Sequence, residues 1–417
     1  KNNHLNMLRY FISKDRRNYF LNDFKRSDNI FRIFRLLPNK IKKLVIDKYV
    51  LRSKRKADKK NSPERMTLFL TNKCNMKCAH CFIIKEIQPT IKMMTLAEYT
   101  MLFESIKGDV SQILVTGGEP VLRNDLGGIV VAASKVGKIK TVNIFSNGYM
   151  IKKLINHLKF ILDNCDIKIN YQTSLDGNEE FHDINRRVPK AFKKTLDSIK
   201  EVYKLEKKYP NRFSRVIMTT AISQGNLDDL SSICDISIES GANPAFSFVR
   251  TSEDVFNLND ESLISEFVPE KNKKDGSIKF ADDDYLSVEQ MENVIQTIKN
   301  KIWNQDPGNL AYNYNRVTLE AIKNSKKNLL SPLTEECRMG FDDVIIFADG
   351  SVSRCENLNS VLKLNEYEFD LPKLLESNEW KAYMKKSSGC WCTHDCGLGV
   401  SMMKEPPLLK RLVENNY

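Results

Sequence analysis

The chain has 417 residues, 41% of them hydrophobic, which is enough to bury one large core or the cores of two domains. No run of 18 apolar residues is present, which excludes a bilayer-spanning helix, and the first residues lack a signal-peptide pattern, which argues against secretion. The net charge of +12 sits at one end: residues 1–65 hold 20 Lys and Arg against 6 Asp and Glu, and the remainder is close to neutral.

Residues 1–62 read as a basic, amphipathic helical extension. Leu5, Leu8, Phe11 and Ile12 fall at helical spacing, Pro38 breaks or starts a helix, and RSKRKADKKNSPE is a charged linker. One reading packs this extension on the rest of the chain with its charges in water. The other lays it on an anionic membrane surface or an acidic partner. Nucleic acid is not indicated, because no recognisable RNA-binding motif accompanies the charge.

Residues 63–250 alternate short apolar, β-branched runs with helical patterns. Six strands are countable, from RMTLFLT to PAFSFVR, joined by helical stretches with short connections. Thr95 and Glu98 are spaced as a capping box, with Gly108 as a stop. This alternation predicts a parallel α/β sheet covered on both faces. The polar, Gly-containing stretches TNKCNMKC, GGEP, SNG and SLDG follow successive strands, so they are expected to converge at the strands' C-terminal ends, where ligands bind. Residues 251–330 read as an acidic insertion followed by linking helices. Residues 331–400 carry five cysteines and short strands and read as a second, smaller α+β module, with 401–417 as a tail.

Ten cysteines in a large chain without a secretion signal point to a reducing cytoplasm and to metal binding or redox chemistry rather than disulfides. Cys74, Cys78 and Cys81 fall within eight residues. Three thiolates can wrap a [4Fe–4S] cluster and leave one iron open to a substrate or cofactor. A structural zinc ion is the competing reading, with His80 as fourth ligand, although its position directly beside Cys81 is awkward for one tetrahedral ion. Cys165 and Cys234 fall on apolar helix faces and read as core residues.

The order C-x3-C-x2-C, GGEP, SNG, SLDG after successive strands resembles the radical S-adenosylmethionine (SAM) superfamily over roughly residues 65–250. The resemblance implies a partial (β/α)6 TIM-like barrel. It implies a [4Fe–4S] cluster on Cys74, Cys78 and Cys81 whose open iron is chelated by SAM, reductive cleavage of SAM to a 5′-deoxyadenosyl radical, and hydrogen abstraction from substrate. Gly117, Gly118 and Glu119 would meet the SAM ammonium, with Pro120 stiffening the turn, and His80 would lie near the adenine. Ser146, Asn147, Ser174 and Asp176 would contact ribose and carboxylate, and Arg186 or Arg187 would pair with the SAM carboxylate.

Cys337 and Cys355, with Gly350 five positions before the latter, resemble the opening of a SPASM or twitch module, and CWCTHDC supplies Cys390, Cys392 and Cys396. A full SPASM module has seven cysteines and two auxiliary clusters. With five, this chain is expected to hold one auxiliary [4Fe–4S] cluster, on Cys337, Cys355, Cys392 and Cys396 with Cys390 as alternate. Zinc is the competing occupant, and His394 reads as a donor behind the ligands rather than as a ligand. Such a cluster would accept an electron from the substrate radical, in an oxidation or bond formation, and Asp342, Asp343 and Asp349 are candidate bases, the last more simply a turn residue. The expected substrate is a sugar, polyol or lipid-linked headgroup. The other substrate reading is a ribosomal peptide that is cross-linked or epimerised. A reducing partner such as flavodoxin or ferredoxin is implied, and peripheral contact with an anionic membrane through 1–62 is an expectation of the basic arm. A non-catalytic iron–sulfur or zinc protein is the reading from outside enzymology.

Overall fold

The computed structural model describes residues 38–57, 62–83, 91–249, 255–256, 259–263, 286–307, 309–328, 331–333, 336–392 and 394–414. The helical spacing read at Leu5 to Ile12 and most of the acidic insertion lie outside the described residues, as does the side chain of Cys392.

All six expected strands form. They are β1 (Arg65–Thr71), β2 (Gln112–Gly117), β3 (Thr141–Ser146), β4 (Lys168–Ser174), β5 (Phe213–Ile222) and β6 (Asn243–Phe248). They pair in parallel and in chain order, β1 to β6. In β1 every residue after Arg65 is buried, as a strand covered on both faces requires. The first crossover helix, Leu96–Ser105, opens with the expected capping box: the Glu98 backbone N–H donates to Thr95 Oγ1 and the Thr95 N–H to Glu98 Oε2. The sheet does not close, so the β/α repeat forms a partial TIM-like barrel.

The C-terminal region extends this same sheet. β8 (Asp343–Ile346) lies parallel to β1, with Arg65 opposite Asp343 and Leu68 opposite Ile346. The antiparallel strands β9 (Ser351–Ser353) and β10 (Leu362–Lys363) continue outward, giving the order β10-β9-β8-β1-β2-β3-β4-β5-β6. A separate two-stranded sheet joins β7 (Val255–Phe256) to β11 (Trp391–Cys392), which ties the insertion to the last cysteines. The main core is shared as well: Met66, Leu68 and Leu70 belong to one apolar cluster with Leu371, Leu374, Trp380 and Tyr383.

Helices Val288–Lys301 and Leu310–Asn328 cover β5 and β6 through a second cluster that includes Ile222, Phe246, Ile298 and Trp303. A third cluster joins the basic helix Asn39–Ala57, through Val45 and Ile46, to Leu310, Val317, Met402, Leu408, Leu409 and Leu412. The segment read as a tail therefore contains a packed helix, Pro406–Glu414. No described helix is long and apolar enough to cross a membrane.

Candidate functional site

The loops at the C-terminal ends of the strands enclose one cavity of about 240 Å³. Its walls include Cys74, Cys78 and Cys81 together with His80, Gly117, Gly118, Glu119, Ser146, Asn147, Ser174, Asp176 and Arg186. Of the cofactor residues expected from sequence, Pro120 and the alternative arginine, Arg187, are absent from the wall; Pro120 begins the short turn Pro120–Leu122 behind it.

Backbone contact explains the two glycines. The Gly118 N–H donates to Thr71 O (2.8 Å) and the Glu119 N–H to Lys73 O (2.8 Å), so the loop after β2 lies directly on the cysteine loop after β1. A Cβ on Gly117 would stand 2.3 Å from Thr71 O, and one on Gly118 would stand 2.3 Å from Lys73 O. Neither approach admits a side chain.

Glu119 is buried and clamps neighbouring strand ends. Its carboxylate accepts the N–H of Val121 (3.0 Å) and of Asn147 (2.7 Å). Burial pushes its pKa up to about 7 despite those donors. Asn147 donates from Nδ2 to Asn75 Oδ1 (2.9 Å), reaching back to the cysteine loop. Ser146 Oγ accepts the Gly148 N–H (3.2 Å), which fixes the turn after β3.

On the opposite wall Asp176 is fully buried. Its carboxylate accepts from Arg186 Nε (2.7 Å) and Asn185 Nδ2 (3.2 Å), with His80 and His182 at 3.9 and 3.8 Å. Burial opposes ionisation, but the Arg186 guanidinium and the two imidazoles hold this carboxyl well below the usual carboxylate range. Arg186 also donates from Nη1 to Cys78 Sγ (3.6 Å), so the ion pair reaches the thiols. It is the last residue of helix Glu179–Arg186, which Asn178 caps by accepting the Phe181 N–H. Arg187 follows in a left-handed conformation and points to solvent, so of the two candidate arginines Arg186 alone faces the cavity.

Cys74, Cys78 and Cys81 are free thiols. Burial pushes Cys74 and Cys81 up to about 12, and raises Cys78 as well. A protein that gathers buried thiols so close to a guanidinium has donors suited to a cationic metal group, which deprotonates coordinating thiols outright. The His80 imidazole instead makes its Nδ1 contact to Asn185 Nδ2 (2.9 Å) and sets Nε2 toward Asp176. Among the described residues the three thiols have no fourth side-chain ligand of the kind closed tetrahedral zinc needs, and the donor set fits a cluster with one open iron.

The second cysteine group lines its own cavity, which is walled by Cys337, Cys355, Cys390, Arg354, His394 and Gly397 among others. Cys396 does not line it; its sulfur lies within 4.8 Å of ligand atoms on Glu356 and His394. The Arg354 guanidinium fastens the surrounding backbone, donating to the carbonyls of Met339 (3.1 Å), Ser387 (2.9 Å) and Cys337 (3.1 Å). Phe69, Ile83, Met339 and Ile345 form one apolar cluster against which both Cys81 and Cys337 pack, so a dry bridge joins the two thiol groups.

The three candidate bases are engaged elsewhere, and none lines either cavity. Asp342 pairs with Arg338 (2.9 Å). Asp343 accepts from Arg65 (2.7 Å) and Thr67 (3.1 Å). Asp349 accepts the Ser351 N–H (3.0 Å) at the hairpin and pairs with Lys363 (2.9 Å). Cys234 is buried in the second apolar cluster, and half-buried Cys165 packs against the main core. Sequence reading missed His182, Asn185, Arg354 and Glu356. The first two lie on the helix after SLDG, and the last two flank Cys355, which was their one available signal.

This partial barrel, with three thiols on the loop after its first strand, is the architecture of a radical SAM domain, and residues 68–233 match the family model of the Radical SAM superfamily. The matched stretch runs from β1 through β5 and includes Cys74, Cys78 and Cys81. It is 28% identical over 185 residues to the sporulation killing factor maturation protein SkfB of Bacillus subtilis, a match covering 43% of this chain and 41% of that protein. It is 27% identical over 179 residues to a probable GTP 3′,8-cyclase of Methanococcus aeolicus, covering 40% and 54% respectively. The chain thus spans about half, or less, of the length of these curated relatives. Among solved structures, Streptococcus suis SuiB bound to precursor peptide SuiA superposes with a TM-score of 0.56 at 15% identity, covering 81% of this chain and 70% of that one. The anSMEcpe structure with bound AdoMet and Cp18Cys peptide gives 0.52 at 18% identity, covering 78% and 83%. These two likenesses concern the fold.

Proposed function

We propose that the chain activates a substrate C–H bond by radical SAM chemistry, that a second iron–sulfur group in the β8–β11 region assists the step that follows, and that the substrate is a peptide. The observation that carries the first part is the convergence of three free thiols, the Gly117–Gly118–Glu119 loop and the Arg186–Asp176 pair on one cavity.

A [4Fe–4S] cluster on Cys74, Cys78 and Cys81 supplies, when bound, one electron for reductive cleavage of SAM, drawn from a reductant such as flavodoxin or ferredoxin. The chain's own residues prepare the place. Glu119 holds a buried carboxyl, and a cation arriving beside it favours its ionised form. Arg186 keeps a permanent positive charge at the thiols, with Asp176 as its fixed counter-ion. Ser146, Asn147 and Ser174 offer hydroxyl and amide groups along the wall. Phe82, Ile83, Phe248 and Val249 close it with apolar surface that keeps water from a reactive radical.

Two considerations favour a peptide over a sugar, polyol or lipid-linked headgroup. Two solved neighbours are bound to peptides, by their descriptions, and one curated relative is a maturation protein. The lipid reading leaned on the amphipathic arm, and the described helix Asn39–Ala57 buries Val45 and Ile46 within the protein.

The test is iron and sulfide per chain after anaerobic reconstitution, beside the Cys74/Cys78/Cys81→Ala variant, with SAM cleavage assayed under dithionite. About eight irons falling to about four, with cleavage lost, is the expected result. For the substrate, deuterium should pass from a perdeuterated peptide pool into 5′-deoxyadenosine. Transfer only from a deuterated sugar or lipid pool would remove the peptide reading and leave the radical chemistry intact.

A further inference from the structure

We infer that His394 Nδ1, in place of a fourth thiolate, completes the ligand set of the auxiliary group together with Cys337, Cys355 and Cys390. The inference rests on the two-cluster reading above and names the donors of the second one.

His394 has no solvent exposure, and its Nε2 lies 2.7 Å from Glu356 Oε1, itself buried. An ionised carboxylate only accepts, so the proton belongs on Nε2 and the lone pair on Nδ1. A carboxylate behind one ring nitrogen is how proteins orient a histidine whose other nitrogen binds metal. Nδ1 faces the thiol cavity, 4.0 Å from Cys355 Sγ. Gly397 leaves the space between donors open: a Cβ there would stand 3.6 Å from His394 Nδ1 and 3.8 Å from Cys337 Sγ. Ser401, one turn further along the helix Asp395–Met402, donates its hydroxyl to Gly397 O (2.8 Å) and sets Oγ 3.8 Å from Cys337 Sγ, so a polar group borders that sulfur.

Cys396 is the competing donor, and its surroundings differ. Its sulfur lies within 4.8 Å of ligand atoms on His394 and Glu356, but it is off the wall of the cavity that Cys337, Cys355, Cys390 and His394 line. A neutral imidazole in place of an anionic thiolate has a defined consequence: it raises the reduction potential of the group it binds.

The experiment uses the full chain with Cys74, Cys78 and Cys81 replaced by alanine, reconstituted anaerobically, so that only the auxiliary group remains. About four irons per chain are expected. Pulsed EPR of the dithionite-reduced protein, with and without 15N-histidine, should show the strong nitrogen hyperfine coupling of a directly bound imidazole. His394→Cys should keep the iron, lose that coupling and shift the potential downward, while His394→Ala should lose the iron. Cys396→Ala should leave iron, coupling and potential unchanged. Full iron content without nitrogen coupling overturns the inference and spares the auxiliary-cluster reading, as does loss of iron in Cys396→Ala but not in His394→Ala. Zinc, or no metal, in a folded protein overturns both. Should the triple variant not fold, His394→Cys in the otherwise unchanged chain gives the same answer as a difference in coupling and potential.

Discussion

A methyl group at position 118 has nowhere to go, because the contact it would meet is backbone on both sides. Gly118→Ala therefore has to displace Lys73 and Cys74, and Gly117→Ala adds a φ of +127° that an L side chain rarely adopts. Each substitution should cost about 2 kcal/mol or more, read as a lower urea midpoint, and should reduce iron retention at Cys74, Cys78 and Cys81. Glu119 gives the second prediction at this scale. Its folded pKa of about 7 lies above the ordinary 4.5, so between those values the folded chain keeps a proton that the unfolded chain has released. Stability of the cluster-free chain should fall as pH rises from about 4.5 to about 7 and level off above it, by on the order of 3 kcal/mol. Glu119→Gln should flatten that slope, and urea midpoints across the window check it; an unchanged slope would assign the dependence to another group. Cys74, Gly118 and Glu119 were legible because their chemistry is local: three donors in eight residues and a glycine pair after a strand. Asn185 and Glu356 were not, since each acts through a contact between segments distant in the chain, His80 for one and His394 for the other.

At the scale of elements, the parallel strands β1 to β6 were readable because apolar runs and helical periodicity alternate without interruption. The place of β8 was not. Its partner β1 lies 276 residues away between Thr67 and Asp343, and parallel pairing at such a distance leaves no periodic trace in sequence. What fixes the register is a buried contact: Arg65 Nη2 and Asp343 Oδ2 at 2.6 Å, with Thr67 completing the carboxylate's hydrogen bonds. Removing one partner strands the other, so Asp343→Ala should destabilise by about 3–5 kcal/mol. Replacing both with apolar residues, Arg65→Met with Asp343→Leu, should recover a large part of that loss. Urea denaturation of both single variants and the double variant forms the cycle. A double variant as unstable as the sum of the singles would show that the strand junction depends on packing alone.

For the whole molecule, the basic end of the chain is structural over the part described. The helix Asn39–Ala57 turns Val45 and Ile46 onto Leu408, Leu409 and Leu412, while Lys40, Lys43 and Lys48 stay in water. Its positive charge is thus carried on the outer face of a helix whose Val45 and Ile46 are already committed, while Leu44 is the exposed apolar side chain described there. The packing also joins the two ends of the chain, because Leu408, Leu409 and Leu412 belong to the last described helix, Pro406–Glu414. Deleting residues 1–57 uncovers those leucines, and at roughly 1.5–3 kcal/mol for each fully buried aliphatic side chain it should cost on the order of 3–5 kcal/mol. Deleting only residues 1–37 removes much of the basic charge but leaves this cluster whole, and should leave the urea midpoint unchanged. The shorter deletion is therefore also the sound probe of membrane contact, since sedimentation with anionic vesicles can then be compared between two proteins of equal stability. Equal destabilisation by both deletions would mean that residues before 38 also hold the ends together.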